Sequence, residues 1–353
     1  MQRAGWASGA GATPYGTVWV MVLTLNLLFH LRHEAEAEVE RPTTHAYAEA
    51  LALVRQADLL PIGCAWLAEH HLSPVRGRLP APLLLAVAAA QGTRRIRADP
   101  CVLILPLRHP LAVAEELATA DLLTGGRLAA GVGSGGNPEE FAAFGVPLDE
   151  RRARYTEGLD IVARALRGDR FAFRGRYYDV PEVELVPRPL QRVEEMLWVA
   201  ASSIAAAEAA GRSGGHLLLS RGLPLVDLRA QVAAYRAARV AAGYDGVTAR
   251  IQVTRGVHVA PTDDAAWREA AEGIRRHVLR PGREGAATGV TGNLAELARR
   301  GDFIVGSPAT CAAEIRTLAA ALPITDLACD IDLIGMPHEQ VARSLDLLGH
   351  MAV

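Results

Sequence analysis

The 353-residue chain contains no lysine: all 37 of its basic residues are arginine. That excludes a Schiff-base lysine, pyridoxal chemistry built on one, and a standard P-loop. Cysteine is scarce as well. Cys64, Cys101, Cys311 and Cys329 form no C-x-x-C pair and no metal-ligand spacing, so free thiols in a reducing cytoplasm are expected. No apolar run is long enough to span a bilayer: Val18 to Phe29 has twelve residues, against roughly 20 for a spanning helix. One arginine and many small residues precede that run, and no small-residue cleavage site directly follows it. It is therefore read as holding a first strand, Val20 to Leu27, rather than as a signal-peptide core, with residues 1 to 16 as a loose extension. A net charge of −2 argues against a general nucleic-acid binder. Neither a nucleic-acid nor a membrane partner is expected.

Half of the residues are apolar, enough to fill one large α/β core. The pattern organises itself around Ile62 to Ser73. A short buried-strand run ends abruptly in Glu69, His70 and His71 and opens into a proline-containing loop. Titratable side chains at the end of a buried strand are where an α/β barrel places its chemistry. Helical spacing from Thr43 to Leu60 precedes that strand, and a helix over Leu83 to Ala90 follows it. Ile96 to Leu105 is β-rich but holds Asp99-Pro100, which is odd in a central strand because proline lacks the amide donor.

The alternation then continues. Helices are expected over Pro110 to Leu123, Asp149 to Leu166 (with Asp149 as N-cap), Ile204 to Arg212, Val226 to Ala242, Ala265 to Leu279, Pro308 to Ala320 and His338 to Leu348. Strands are expected over Arg127 to Val132, Leu197 to Ala201, His216 to Ser220, Arg250 to Val259 and Asp326 to Ile334. Phe171 to Pro189 reads as a small surface hairpin turning at Gly175, and Arg280 to Gly306 as an irregular, lid-like insertion with a helical stretch near Leu294 to Arg299. With no composition break to divide it, residues 17 to 353 read as one (β/α)8 barrel with insertions.

Two stretches raise the question of phosphate. Gly131-x-Gly133-x-x-Gly136 has the outline of a dinucleotide fingerprint, which should open a helix and be followed about 20 residues later by an acidic residue on a strand end. It runs instead into Asn137-Pro138-Glu139-Glu140, so no such site is expected, although glycines at a strand end let a flat ligand approach the backbone. Ala200-Ala201-Ser202-Ser203 ends a strand and opens a helix. Two hydroxyls beside free helix amides form either a phosphate seat or an ordinary serine cap.

Taken in order, Trp66-Leu-Ala-Glu-His-His71, Val102-Leu-Ile-Leu-Pro-Leu-Arg-His-Pro-Leu111, Ala114-Glu-Glu-Leu-Ala118, Asp121-Leu-Leu-Thr-Gly-Gly-Arg127, Gly131-Val-Gly133, Glu140-Phe-Ala-Ala-Phe-Gly145, Gly175-Arg-Tyr-Tyr178 and Gly306-Ser-Pro308 resemble the bacterial-luciferase-like family of flavin-dependent monooxygenases. The resemblance implies a TIM barrel with reduced FMN at the C-terminal ends of the strands, O2 as co-substrate and a homodimer.

It places His70 near the reactive face of the flavin, with Glu69 and His71 shaping the pocket. Pro100-Cys101 falls where a non-prolyl cis peptide packs against the ring. Gly133, Ser134 and Ala201 fall beside the cofactor, Ser202 and Ser203 on its phosphate, and Arg151 or Arg152 where an arginine reaches that phosphate. Ser134 replaces a phosphate-binding arginine, Pro61 a glycine, and Asp99-Pro100 small residues. With no NAD(P)H fingerprint, reduced FMN would come from a separate flavin reductase. An imidazole with an ordinary pKa near 6.5 can donate or accept a proton beside the reacting oxygen. The alternative on the same barrel is hydride transfer with the deazaflavin F420; a flavin-binding barrel without activity is the remaining one. The substrate is set by variable loops and is not legible.

Overall fold

The computed structural model describes residues 23–32, 43–73, 76–246, 248–279, 293–300 and 302–353. Its first half runs β1 (Thr24–Phe29), α1 (Thr43–Asp58), β2 (Ile62–Leu67), α2 (Pro82–Gln91), β3 (Arg97–Pro100), β4 (Leu103–Ile104), α3 (Pro110–Thr124), β5 (Ala130–Gly133), α4 (Pro138–Ala143), α5 (Arg151–Arg167) and the hairpin β6 (Phe171–Arg174) and β7 (Asp179–Val183). The second half runs α6 (Val193–Met196), β8 (Leu197–Ala201), α7 (Ile204–Ser213), β9 (His216–Leu219), α8 (Leu225–Ala241), β10 (Ile251–Val259), α9 (Asp263–Leu279), α10 (Leu294–Arg300), β11 (Phe303–Gly306), α11 (Pro308–Ala321), β12 (Asp326–Asp330) and α12 (His338–Gly349).

The main sheet is parallel and its strands lie in the order β3-β2-β1-β12-β10-β9-β8-β5-β4. Its two ends, β3 and β4, are separated in the chain only by Cys101 and Val102, whose peptide bond is cis. They are two halves of one barrel strand, so the sheet closes into the expected (β/α)8 barrel. Strand β11 is an addition, pairing with the outer half of β10 from Gly256↔Phe303 to Val259↔Gly306.

Strands covered on both faces become near-continuous apolar runs, and two separate cores result. One lies between barrel and helices. The other fills the barrel itself with Leu28, Cys64, Trp66, Trp198, Leu218 and Ala328 among others. Trp66 meets Trp198 edge-on at 5.3 Å, and its buried indole N–H finds the acceptor it needs, donating to Gln252 Oε1 at 2.7 Å. Asn26 Nδ2 donates to the same oxygen and to Asp326 Oδ1, both at 2.9 Å.

Several expectations change. Strand β1 runs to Phe29, two residues beyond the expected end, while residues 20–22 lie outside the described ones. The extension over residues 1 to 16 and residues 280–292 of the lid-like segment also lie outside them. The tail of that segment is ordered as α10 and β11, so the expected irregular stretch ends in a strand. Asp149 does not cap the helix after it: a 3-10 turn over Leu148–Glu150 occupies that place, and α5 starts at Arg151 without a side-chain cap. Helix α4 was not anticipated. Asn137 caps it, its Oδ1 accepting from Glu139 N at 3.2 Å. The surface hairpin is present, anchored where the Glu157 carboxylate accepts the backbone amides of Arg176, Tyr177 and Tyr178.

Candidate active site

The C-terminal ends of the strands surround a cavity of about 380 Å³. Its apolar wall comes from Leu28 on β1, Val102 in the β3–β4 break, Ala200 on β8 and Leu218 on β9. The polar wall includes His30 and Arg32 after β1, Arg221 after β9, Gln252 and Thr254 on β10, and Asp330 closing β12. An apolar body with a few converging polar groups is the usual form of a small-molecule site.

Asp330 is the electrostatic centre of that wall. It has no solvent exposure, and its carboxylate accepts from Arg221 Nη1 at 2.8 Å and Arg32 Nη1 at 3.2 Å. Burial alone would raise its pKa. The charges of Arg32, Arg221 and His277 outweigh that and hold it below the ordinary carboxylate value. Burial pushes the neighbouring Asp332 carboxyl up, with Arg32 pulling against it. Arg221 is supported from below by the Phe303 ring, 4.6 Å from its guanidinium carbon.

The three residues that the sequence places at the end of β2 part company. His70 turns toward the cavity wall: its Nε2 lies 3.0 Å from Nδ1 of His30, with the rings 5.3 Å apart. His70 itself does not line the cavity; His30 does. Glu69 and His71 instead brace the strand end. His71 Nε2 lies 2.8 Å from Glu69 Oε1, an oxygen that also accepts from Ile104 N at 3.4 Å, and the His71 amide donates to Glu140 of α4 at 3.1 Å.

Cys101 does line the cavity, beside the cis bond, which lies between Cys101 and Val102, one bond further along than Pro100-Cys101. Burial, then the charge of Asp99, raise the Cys101 thiol to about 12, which disfavours the nucleophilic thiolate. Pro100 is tolerated because the ladder breaks directly after it, and the next amide, Cys101 N, donates to Leu67 O at 2.8 Å. Asp99 is fully buried beside it, accepting from Cys64 Sγ at 2.8 Å and from Ala129 N, with Arg97 Nε at 3.5 Å. Burial raises its pKa against the pull of Arg97.

The glycine run serves the barrel. A Cβ on Gly131 would stand 2.3 Å from Pro100 O, and one on Gly133 would stand 2.5 Å from Val102 Cγ2. Both glycines belong to β5 and let the broken strand pack against it. Ser134 follows at the strand end, half-buried, its hydroxyl 3.5 Å from Gly135 O. Ala201 is buried and its carbonyl accepts from both the amide and the hydroxyl of Ser220, at 3.1 and 2.9 Å. Ser202 and Ser203 are exposed at the head of α7, and Ser203 Oγ accepts from Ala206 N at 3.3 Å as the helix cap. Arg151 donates to Leu148 O at 3.0 Å, and Arg152 is exposed on the same turn. Neither arginine bonds to Ser202 or Ser203 among the described residues.

His30, Arg32, Arg221 and Asp330 were not anticipated from the sequence. The signal that marked Glu69 to His71, polar residues where a buried strand ends, marks them equally.

A family model described as luciferase-like monooxygenase matches residues 21–325. The chain is 32% identical over 274 residues to a 4-hydroxyprotoasukamycin monooxygenase of Streptomyces nodosus subsp. asukaensis, covering 72% of each chain. It is 35% identical to the protein y4wF of Sinorhizobium fredii over 195 residues, so that it spans only about half that relative's length, 55%. The solved monooxygenase RslO1 from Streptomyces bottropensis superimposes with a TM-score of 0.84 at 26% identity, over 93% of this chain and 98% of that one. Two further matches name different cofactors. One is a Baeyer-Villiger monooxygenase constituent from Pseudomonas putida solved with FMN, at 20% identity and a TM-score of 0.75 over 94% of this chain and 98% of that one. The other is an F420-dependent glucose-6-phosphate dehydrogenase of Amycolatopsis mediterranei, 31% identical over 47% of this chain and 51% of that one.

Proposed function

Because this chain belongs to the luciferase-like monooxygenase family, we propose that it oxidises a small organic substrate with reduced FMN and O2, the flavin being supplied by a separate reductase. The observation that carries this reading is the double use of β8. Ala200 stands in the cavity wall, and the strand is followed directly by exposed Ser202 and Ser203 at the head of α7. A flat apolar ring with polar edges suits a cavity lined both by Leu28, Val102, Ala200 and Leu218 and by His30, Gln252 and Thr254. A phosphate suits two hydroxyls and the first amides of a ten-residue helix. When bound, reduced FMN supplies the activation of O2. The chain's residues orient the ring, keep water out and hold protons at His30 and His70. Arg151 and Arg152 would lend charge to the phosphate from the start of α5.

The second reading, hydride transfer with F420, is supported by the likeness to an F420-dependent dehydrogenase. One titration separates the readings and tests the seat. Wild type and Ser202→Ala/Ser203→Ala are titrated by fluorescence with FMN, riboflavin and F420. FMN should bind wild type best. The double variant should lose about one to three decades of FMN affinity, since a hydrogen bond to an ionised partner contributes about 1.5–3 kcal/mol. Riboflavin, which has no phosphate, should be nearly unaffected. Equal losses for FMN and riboflavin would reduce both serines to helix caps, and preference for F420 would transfer the function to hydride chemistry.

The same reading makes the chain a homodimer through α2 and α3. Both helices bury one apolar face against the barrel, yet Leu84 on α2 is still 75% exposed, and Leu122 and Leu123 at the end of α3 are 40% and 54% exposed. Exposed apolar residues on both helices leave outer faces that a second chain could cover. Light scattering after sizing should give twice the 37.6 kDa chain mass at micromolar concentration; the mass of one chain would defeat it.

A further inference from the structure

We infer that His30 is the proton donor to the group reacting in the cavity and that His70 is its proton partner, one step behind it. The inference rests on the function proposed above and names who moves protons there. Three observations carry it. His30 lines the cavity and His70 does not. The two rings meet through His30 Nδ1 and His70 Nε2 at 3.0 Å, a contact in which one nitrogen carries the proton and the other accepts it. The far nitrogen of His30, Nε2, lies 3.7 Å from the buried carboxylate of Asp330, so an anion stands beside the ring.

Asp330 on β12 stands against His30, and Arg32 after β1, Arg221 after β9 and His277 on α9 act on that carboxylate. The two arginines are already engaged with Asp330, which keeps that carboxylate ionised beside His30. Gly77 closes the other side. A Cβ there would stand 2.6 Å from His70 Cδ2 and 2.3 Å from His30 O, so the bare backbone of this residue lies against both histidines and restricts the His70 ring.

The step balances as follows. The pair starts with one proton more than two neutral imidazoles hold and a charge of +1. The Nε2–H bond of His30 breaks and its proton goes to an anionic oxygen developing in the cavity. The proton on His70 Nε2 moves to His30 Nδ1. The pair ends neutral, the oxygen is protonated, and His70, whose ring is partly open to solvent, recovers a proton from water.

The test has two arms. In the first, the cofactor-free wild-type protein is labelled with 15N-histidine and titrated by NMR. His30 and His70 should titrate as a coupled pair in two steps, and His30→Gln should leave His70 with a single step. Independent titration of the two rings would overturn the inference. In the second arm, His30→Gln and His70→Gln should each lower kcat, His30→Gln by roughly 10²-fold, with flavin affinity unchanged. The double variant should be no worse than His30→Gln, because groups acting as a unit are not additive. Wild-type kcat in His30→Gln, or multiplied losses in the double variant, would also overturn it. If the protein binds neither FMN nor F420, the functional reading fails, and the NMR arm still decides whether the pair exists.

Discussion

Asp330→Ala is expected to lower the stability of the folded chain by about 3–5 kcal/mol, the cost of removing one member of a buried ion-pair group. The size follows from what would be left behind. Arg32 has a side chain only 2% exposed and Arg221 one 15% exposed, so neither guanidinium can turn fully to water. Without the carboxylate, two cations and His277 would face one another in the same wall. The Asp332 carboxylate is turned to the backbone instead, its Oδ2 accepting from Arg32 N at 3.3 Å. The pH dependence has a definite sign. The Asp330 carboxyl is held below its ordinary value, so its contribution is present above the unfolded pKa and is lost as pH falls through the folded one. Urea unfolding at neutral pH measures the effect, and a loss below about 1 kcal/mol, the level of an exposed pair, would contradict it.

Gly131→Val is expected to cost about 3 kcal/mol, the upper end for overpacking, and to deform the cavity wall with it. The contacts a Cβ would meet at this position are main chain: Pro100 O at 2.3 Å, with Pro100 C and Cys101 Cα at 3.3 Å. No flexible side chain can swing away, so the broken strand beside β5 must move, and that strand carries Cys101 and Val102 of the cavity wall. Gly136, the last glycine of the same run, provides the contrast. A Cβ there meets nothing within 4 Å, so Gly136→Ala should stay within about 0.5 kcal/mol of wild type. Thermal unfolding of the two variants side by side is the measurement; equal stabilities would show that β5 does not need its glycine.

Barrel strands are legible in the sequence where helix-forming or turn-forming residues bound them, and illegible where nothing does. Strand β8 falls where the pattern puts it, Leu197–Ala201, because a short helix and a pair of serines bracket it. The first apolar tract has no internal boundary. Its end is set by pairing, Phe29 with Leu67 of β2, and an end expected at Leu27 kept His30 and Arg32 from being seen as strand-end residues. At the other end of the chain, reading Asp326 to Ile334 as one strand hid Asp330 and Asp332 in its interior; the strand stops at Asp330. The polar groups of the site were therefore visible as letters and invisible as positions. Strand β11 is four residues long and exists by pairing with β10, which no local pattern reports. Helix α4 did carry a signal, Asn-Pro-Glu-Glu with cap, proline and first-turn acids in place, and its six residues were too few to show a period.

The ladder between β1 and β12 pairs Leu28 with Asp330, and it brings Arg32 and Asp330 together across 298 positions of the chain. During synthesis, β1 thus leaves the ribosome with one edge open and waits until Asp326 to Asp330 have been made before its neighbour arrives. Until then that edge offers unpaired amides and carbonyls to any passing strand, and His30 has no carboxylate beside it. A chain lacking β12 would hold most of the barrel's bulk, with Arg32 and Arg221 deprived of the Asp330 carboxylate. The polar wall of the cavity is therefore complete only once β12 has joined β1.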